Sequence, residues 1–325
     1  MKEMTDEQYI DNIIKLLKEK LDKDYKPGET KRDAHSKCLG LLKARFIVNN
    51  NLPKALRVGV FKEKRVYPAL IRISNSSPKT NGDNKKDVRG FAIKIIGVDG
   101  KKYINSEINT QDFLLVSTNT MPLGTVKEFH DALSNPLIYI CQSTINGNIG
   151  KLKKILSARQ HHTSPLDVCY YSTTPYMLGQ EVVKYCIVPT SKYKSILPKK
   201  LTSSYLTDNM QQHLNNDIAT FDFMVQLKKH NMPIEDASIE WSVEKSPYIK
   251  VGEIIIDKQS FNNSNRYNFA EILSFSPGNS LIEHKPIGDL NKARVRIYNE
   301  LSNFRHMRNN ESLTEPTLYD FENLN

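Results

Sequence analysis

The chain has 325 residues, of which 39% are hydrophobic and 25% charged, with 46 Lys and Arg against 36 Asp and Glu for a formal charge of +10. That size supports a substantial core and excludes a mini-protein held by staples, and the composition excludes the disordered and fibrous classes. No apolar run approaches bilayer length, and the opening MKEMTDEQYIDNIIKLLKEKLDKDY lacks the continuous apolar stretch of a secretory signal, so a cytoplasmic protein without a transmembrane segment is expected.

Residues 5 to 22 read as a surface helix, because Ile10, Ile13, Ile14, Leu17 and Leu21 recur at helical spacing and Thr5 with Gln8 forms a capping box. Lys-Pro-Gly (26 to 28) then breaks the pattern. From about Arg57 the period changes, and VYPALIRIS (66 to 74), GFAIKII (90 to 96) and DFLLVST (112 to 118) read as strands between polar loops. EVVKYCIV (181 to 188), FDFMVQLKK (221 to 229) and KVGEIII (250 to 256) continue the series, with Phe221, Phe223, Val225 and Leu227 alternating. Helical pieces interrupt them near Val126 to Leu133 and from about Thr202 to Asn216. Clustered strands favour an α+β fold with an antiparallel sheet or barrel over a doubly wound parallel sheet. A strong helix follows over residues 290 to 310, LNKARVRIYNELSNFRHMRNN, with Asp289 as its N-cap. The division is an N-terminal helical arm (1 to 25), a main domain (26 to 310) and an acidic tail (311 to 325) that runs over the surface or frays.

At ~100° per residue, Arg294, Tyr298 and Arg305 project from one face of this late helix. Cations beside a phenol favour its anionic form, and a phenolate is a hard ligand for ferric iron. On spacing alone a solvated basic face explains the triplet as well. A second constellation upstream changes the weighing. It comprises Arg32 and His35 in RDAHSK, then Arg72 and Ser74 on one face of LIRISNSS, then VRGFAIKI, then Asn109 before an apolar strand.

In this order the motifs resemble the haem catalase superfamily, and particularly its short catalase-related members, the catalase-like peroxidases and allene oxide synthases. The likeness runs from about Arg32 to Arg308, with IEDASIEW (234 to 241) also matching. It implies a catalase-like antiparallel β-barrel with surrounding helices and a haem-binding late helix. It also implies haem b, with Tyr298 as the axial iron ligand and Arg294 holding the phenolate charged. Arg32, Arg72 and Arg305 would pair with the haem propionates. His35 would be the distal base, Ser74 the residue fixing its tautomer, and Asn109 the distal asparagine. Two departures stand out: Asn109 is single and falls one place late, and Ala34 precedes His35 where catalases carry valine and coral-type allene oxide synthases threonine.

The expected activity is peroxide processing, as a catalase-related peroxidase, with hydrogen peroxide or an organic hydroperoxide as substrate. The alternatives are a fatty-acid hydroperoxide isomerase or dehydratase and a haem-sensing or haem-storing protein without turnover. Homo-oligomerisation is compatible with the resemblance. The lysines at 151, 153 and 154 and those of SKYKSILPKK (191 to 200) lie outside any nucleic-acid motif, so they read as solvated surface and no nucleic-acid partner is expected. Cys38, Cys141, Cys169 and Cys186 show no paired spacing and read as reduced thiols. His161, His162, His284, His306 and Trp241 read as structural.

Overall fold

The computed structural model describes residues 4–104, 108–145 and 149–325, apart from a few side chains in the second of two short helices and one in the first, Lys151 among them. Helix α1 (Asp6–Asp24) opens the chain, and the capping box is formed, Thr5 and Gln8 each bonding the other's backbone. Strands β1 (Cys38–Val48), β2 (Val66–Asn75), β3 (Arg89–Ile96) and β4 (Thr110–Val116) follow as an antiparallel meander. Three helices come next, α2 (Val126–Ser134), α3 (Pro136–Ile145) and α4 (Ile149–Ser157). The chain returns through β5 (Tyr170–Tyr171), β6 (Tyr176–Leu178), β7 (Glu181–Pro189), α5 (Tyr205–Asn216), β8 (Ala219–Leu227) and β9 (Ile249–Ile256). It ends in α6 (Ser264–Ile272), α7 (Asp289–Asn309) and α8 (Leu318–Asn323). No described helix is long and apolar enough to cross a membrane.

The strands lie in the order β5-β4-β3-β2-β1-β9-β8-β7, and β5 pairs with β7 to close the ring, giving an eight-stranded antiparallel barrel with β6 hairpinned onto β7. Closure removes open edges, which would otherwise template aggregation. The alternation expected in β8 is present: Ala219, Phe221, Phe223 and Val225 are buried, and Leu227 is half-buried at the end. Inside, Phe46, Phe113, Tyr185 and Phe223 meet at centroid separations of 4.9 to 6.1 Å, within the range of edge-to-face and offset packing. Strand β1 places Leu42, Ala44, Phe46 and Val48 in the barrel and Leu41 under α6 and α8, with Lys43 half-buried and Arg45 exposed on its outer face. A second apolar cluster joins α1, α2 and α7 through Tyr9, Ile10, Ile13, Leu17, Val126, Leu290 and Ala293.

The acidic tail runs over the outside of the barrel and does not fray. Its Leu324 is buried with Leu41, Leu70 and Leu273, and Glu315 reaches the fully buried Lys94 at 2.6 Å. Lys94 also lies 2.7 Å from Asp112, itself buried, whose other oxygen accepts from Ser276 N at 2.9 Å. Burial alone would lower the pKa of Lys94, but Asp112 and Glu315 outweigh it and hold the ammonium above its usual value. Breaking such a pair leaves an uncompensated buried charge, so Lys94→Met is expected to cost about 3–5 kcal/mol in urea unfolding. Adding Asp112→Asn and Glu315→Gln to that variant should recover most of the loss.

Candidate functional site

A cavity of about 380 Å³ lies between the β2–β4 side of the barrel and helices α1, α2 and α7. His35, Ser74, Arg72, Arg32, Arg294, Tyr298 and Arg305 all line it, so residues from the two ends of the chain meet at one place. Its apolar wall comes from Ile13, Leu17 and Leu21 of α1, Phe129 and Leu133 of α2, and Ile297 and Leu301 of α7.

His35 precedes β1 in a left-handed backbone conformation, φ 58°, which L side chains rarely adopt and which aims its ring into the cavity. The conformation is held from three sides. His35 N donates to Ser76 O at 3.2 Å, Arg72 Nη2 donates to His35 O at 2.9 Å, and Nδ1 lies 3.0 Å from Ser74 Oγ. Gly90 of β3 completes the seat, since a Cβ there would stand 2.4 Å from His35 Nδ1 and 2.7 Å from Ser74 Oγ. The ring's remaining free surface faces the cavity rather than bulk solvent. Burial first, and the Arg72 charge second, push its pKa down to about 4, so the imidazole is neutral at pH 7.

On α7 the guanidinium of Arg294 stands over the Tyr298 ring, 5.6 Å from the centroid, and its Nη1 donates to Thr174 Oγ1 at 2.7 Å and Asn291 Oδ1 at 2.9 Å. Burial alone would lower the pKa of that guanidinium, but Tyr176 and then Tyr298 outweigh it and hold it above its usual value. Arg305, one turn pair further, donates to the carbonyls of Glu271 and Leu273.

Arg305 shares its wall with Arg32 and Arg72. Glu271 lies 3.3 Å from Arg32 and 3.4 Å from Arg72, while Arg305 has no carboxylate in salt-bridge reach among the described residues. Burial would raise the Glu271 pKa, but Arg32 and Arg72 outweigh it and hold the carboxylate below its usual value. Three guanidiniums against one carboxylate leave an excess of positive charge; the buried Arg72 Nε has no hydrogen-bond partner, and Arg32 Nη1, though 3.3 Å from a Glu271 oxygen, makes no hydrogen bond to it. Burying charge and donors in this way is costly unless an anion completes the set.

Asn109 is not part of this site. The cavity reaches β4 at Leu114, Leu115 and Val116, whereas Asn109 precedes the opposite end and its carbonyl accepts from Gly97 and Val98. Six strand residues at about 3.3 Å each separate the two ends by roughly 20 Å. The strand's direction, invisible in a motif, decides this. His284 lies inside the barrel accepting from Val60 N at 3.0 Å, and His306 bonds Ser302 O and Ile272 O, each at 2.8 Å. Trp241 is buried and donates to Pro233 O. Sequence reasoning missed Gly90, which gives its signal only once a ring is known to press on it, and Glu271, one acid in a polar stretch.

Neither a protein-family model nor a curated protein sequence matches the chain. Among solved structures, it is similar to a fungal catalase with a TM-score of 0.68 at 16% identity, covering 88% of this chain and 61% of that one. A bacterial catalase gives 0.69 at 16% identity over 92% and 62%, and catalase A from Saccharomyces cerevisiae 0.68 at 16% over 88% and 63%. The chain thus shares the catalase fold while spanning about three fifths of the length of these proteins.

A folded-state pKa near 4 lies below the unfolded value near 6.5, so the unfolded chain takes up the His35 proton first as pH falls. The contribution is complete above about pH 6.5 and declines down to about pH 4. NMR titration should show the imidazole midpoint near pH 4 in the wild type, and Gly90→Ala, by displacing the ring from Ser74, should move it toward the ordinary value.

Proposed function

We propose that this chain is a haem-dependent oxidoreductase that processes peroxides, with Tyr298 as the axial ligand of the iron and His35 as the base. The observation that carries the reading is the convergence of His35, Tyr298 and the three-arginine wall on one cavity. The donor set suits the cofactor: a porphyrin bearing two carboxylates would supply an acceptor for Arg72 Nε, a better aligned one for Arg32 Nη1, and the charge that Glu271 alone does not balance. Bound haem b would supply redox chemistry at its iron, with a second peroxide or an organic donor as the reductant.

The chain's own residues would work as follows. Arg32, Arg72 and Arg305 hold the two propionates. Arg294, whose guanidinium lies over the Tyr298 ring, would offset the charge of a phenolate bound to the iron. With Ser74 Oγ accepting from Nδ1–H, His35 is held in the tautomer whose Nε2 is a free base. Nε2 can take the proton from the peroxide oxygen nearest it and return it to the departing oxygen, so the leaving group departs neutral. The low pKa keeps His35 ready for this at neutral pH. The apolar wall built by α1, α2 and α7 favours an organic hydroperoxide over hydrogen peroxide, and for the same reason supports a second reading as a hydroperoxide isomerase or dehydratase.

The test uses the full chain loaded with haem. Tyr298→Phe should lose the high-spin ferric spectrum of the wild type. His35→Gln should keep the spectrum and lose about 10²–10⁴-fold in turnover of hydrogen peroxide or cumene hydroperoxide. Because the neutral imidazole is the active form, wild-type turnover should hold steady from pH 7 to about 5 and fall as pH drops through about 4. Products of a lipid hydroperoxide separate reduction to the alcohol from isomerisation. Unchanged turnover in His35→Gln would reduce the protein to a haem carrier, and failure to bind haem would end the proposal.

A further inference from the structure

Helix α3, PLIYICQSTI, is turned inside out. With ~100° per residue, Ile140, Leu137, Cys141, Ile145 and Ile138 fall within one face about 160° wide. That face is the exposed one: Leu137 is 76% and Ile145 83% accessible, and Ile138, Ile140 and Cys141 are exposed too. The opposite face, which meets the protein, carries Tyr139 and the nearly buried Ser143. An amphipathic helix of a water-facing surface has the reverse arrangement. Helix α4 continues the pattern with Leu156 at 73% exposure.

Along the chain the charge that follows this apolar face has one sign. From Asp131 to Asp167 the sequence holds no acidic residue between them, while Lys153, Lys154 and Arg159 are exposed. The face also adjoins the cavity: Leu133, at the end of α2 just before α3, both lines the cavity and is exposed at its rim.

We propose that α3 and α4 form a docking surface for an anionic lipid bilayer, the apolar face of α3 entering the headgroup boundary and the flanking lysines and arginine meeting lipid phosphates and carboxylates. Apolar residues outward with basic residues alongside is the composition of interfacial helices. A symmetric pairing with a second copy fits less well, because it would set like basic segments against each other. Docked this way, the rim of the cavity at Leu133 lies against the membrane.

The test is flotation of the full-length, haem-loaded protein with phosphatidylcholine vesicles, with and without phosphatidylserine. Wild type should float about tenfold more with phosphatidylserine present, and added salt should weaken it. Lys153→Glu with Lys154→Glu should reduce binding to the level seen on neutral vesicles. Leu137→Asp with Ile145→Asp should abolish it, and Ile239→Asp, at an exposed apolar position on another segment, should leave it unchanged. Circular dichroism and the haem spectrum report that each variant is folded, so the docking result is read separately from peroxide turnover. The proposal is overturned if wild type stays with the soluble fraction, if the aspartate variant floats equally well, or if gel filtration shows a dimer that the aspartates dissolve while vesicles bind neither form.

Discussion

Arg32, Arg72 and Arg305 press on one wall of the cavity with only Glu271 between them, and much of the molecule is arranged around that excess of buried positive charge. The three arginines come from the segment before β1, from β2 and from α7; Arg32 and Arg305 bond carbonyls of α6 and of Leu273 after it, and Arg72 bonds the carbonyl of His35. Four parts of the chain are therefore tied at one point by charge-assisted hydrogen bonds, about twice as strong as neutral ones. Such a cluster favours the folded chain fully only when its remaining donors find an anion, which couples stability to occupancy of the cavity. A haem dicarboxylate fits both the charge and the missing acceptors.

The opposite side of the cavity shows the same economy in neutral groups. A strained His35 backbone, a serine on Nδ1 and a glycine that admits the ring hold it in one orientation. Each element is small, yet none can be exchanged alone: a Cβ at residue 90 or the loss of Ser74 would release the ring. Strain of this kind persists only where surrounding bonds over-determine it, and here Ser76 and Arg72 supply them. Beyond the site, the tail acts through Glu315, Lys94 and Asp112 on Ser276, next to Phe275 of the cavity wall.

Much of the fold was legible where burial is one-sided. Alternation marked β8, helical spacing marked α1, and the long uninterrupted run marked α7, because one face of each meets the core and the other meets polar surroundings or solvent. β1 is harder to read because Leu39 to Leu42 are buried in succession, where period 2 vanishes, and only its second half, with Lys43 and Arg45 outward, alternates. α3 escaped for a different reason: its apolar face points outward, so composition gave no cue to its orientation.

For the site, helix spacing put Arg294, Tyr298 and Arg305 on one face, and the resemblance carried by the order of the motifs named those three together with His35, Ser74, Arg32 and Arg72. The structure brings those seven to one cavity. Asn109 shows what order cannot carry, because a motif beside a strand does not say which end of the strand faces the cavity, and β4 presents the other end. Gly90 and Glu271 likewise acquire meaning only from what is packed against them. Sequence by itself determined the local periods and the inventory of reactive groups. Closure of the barrel and the docking of α7 across it decided which of those groups share a cavity, because that depends on contacts between residues hundreds of positions apart.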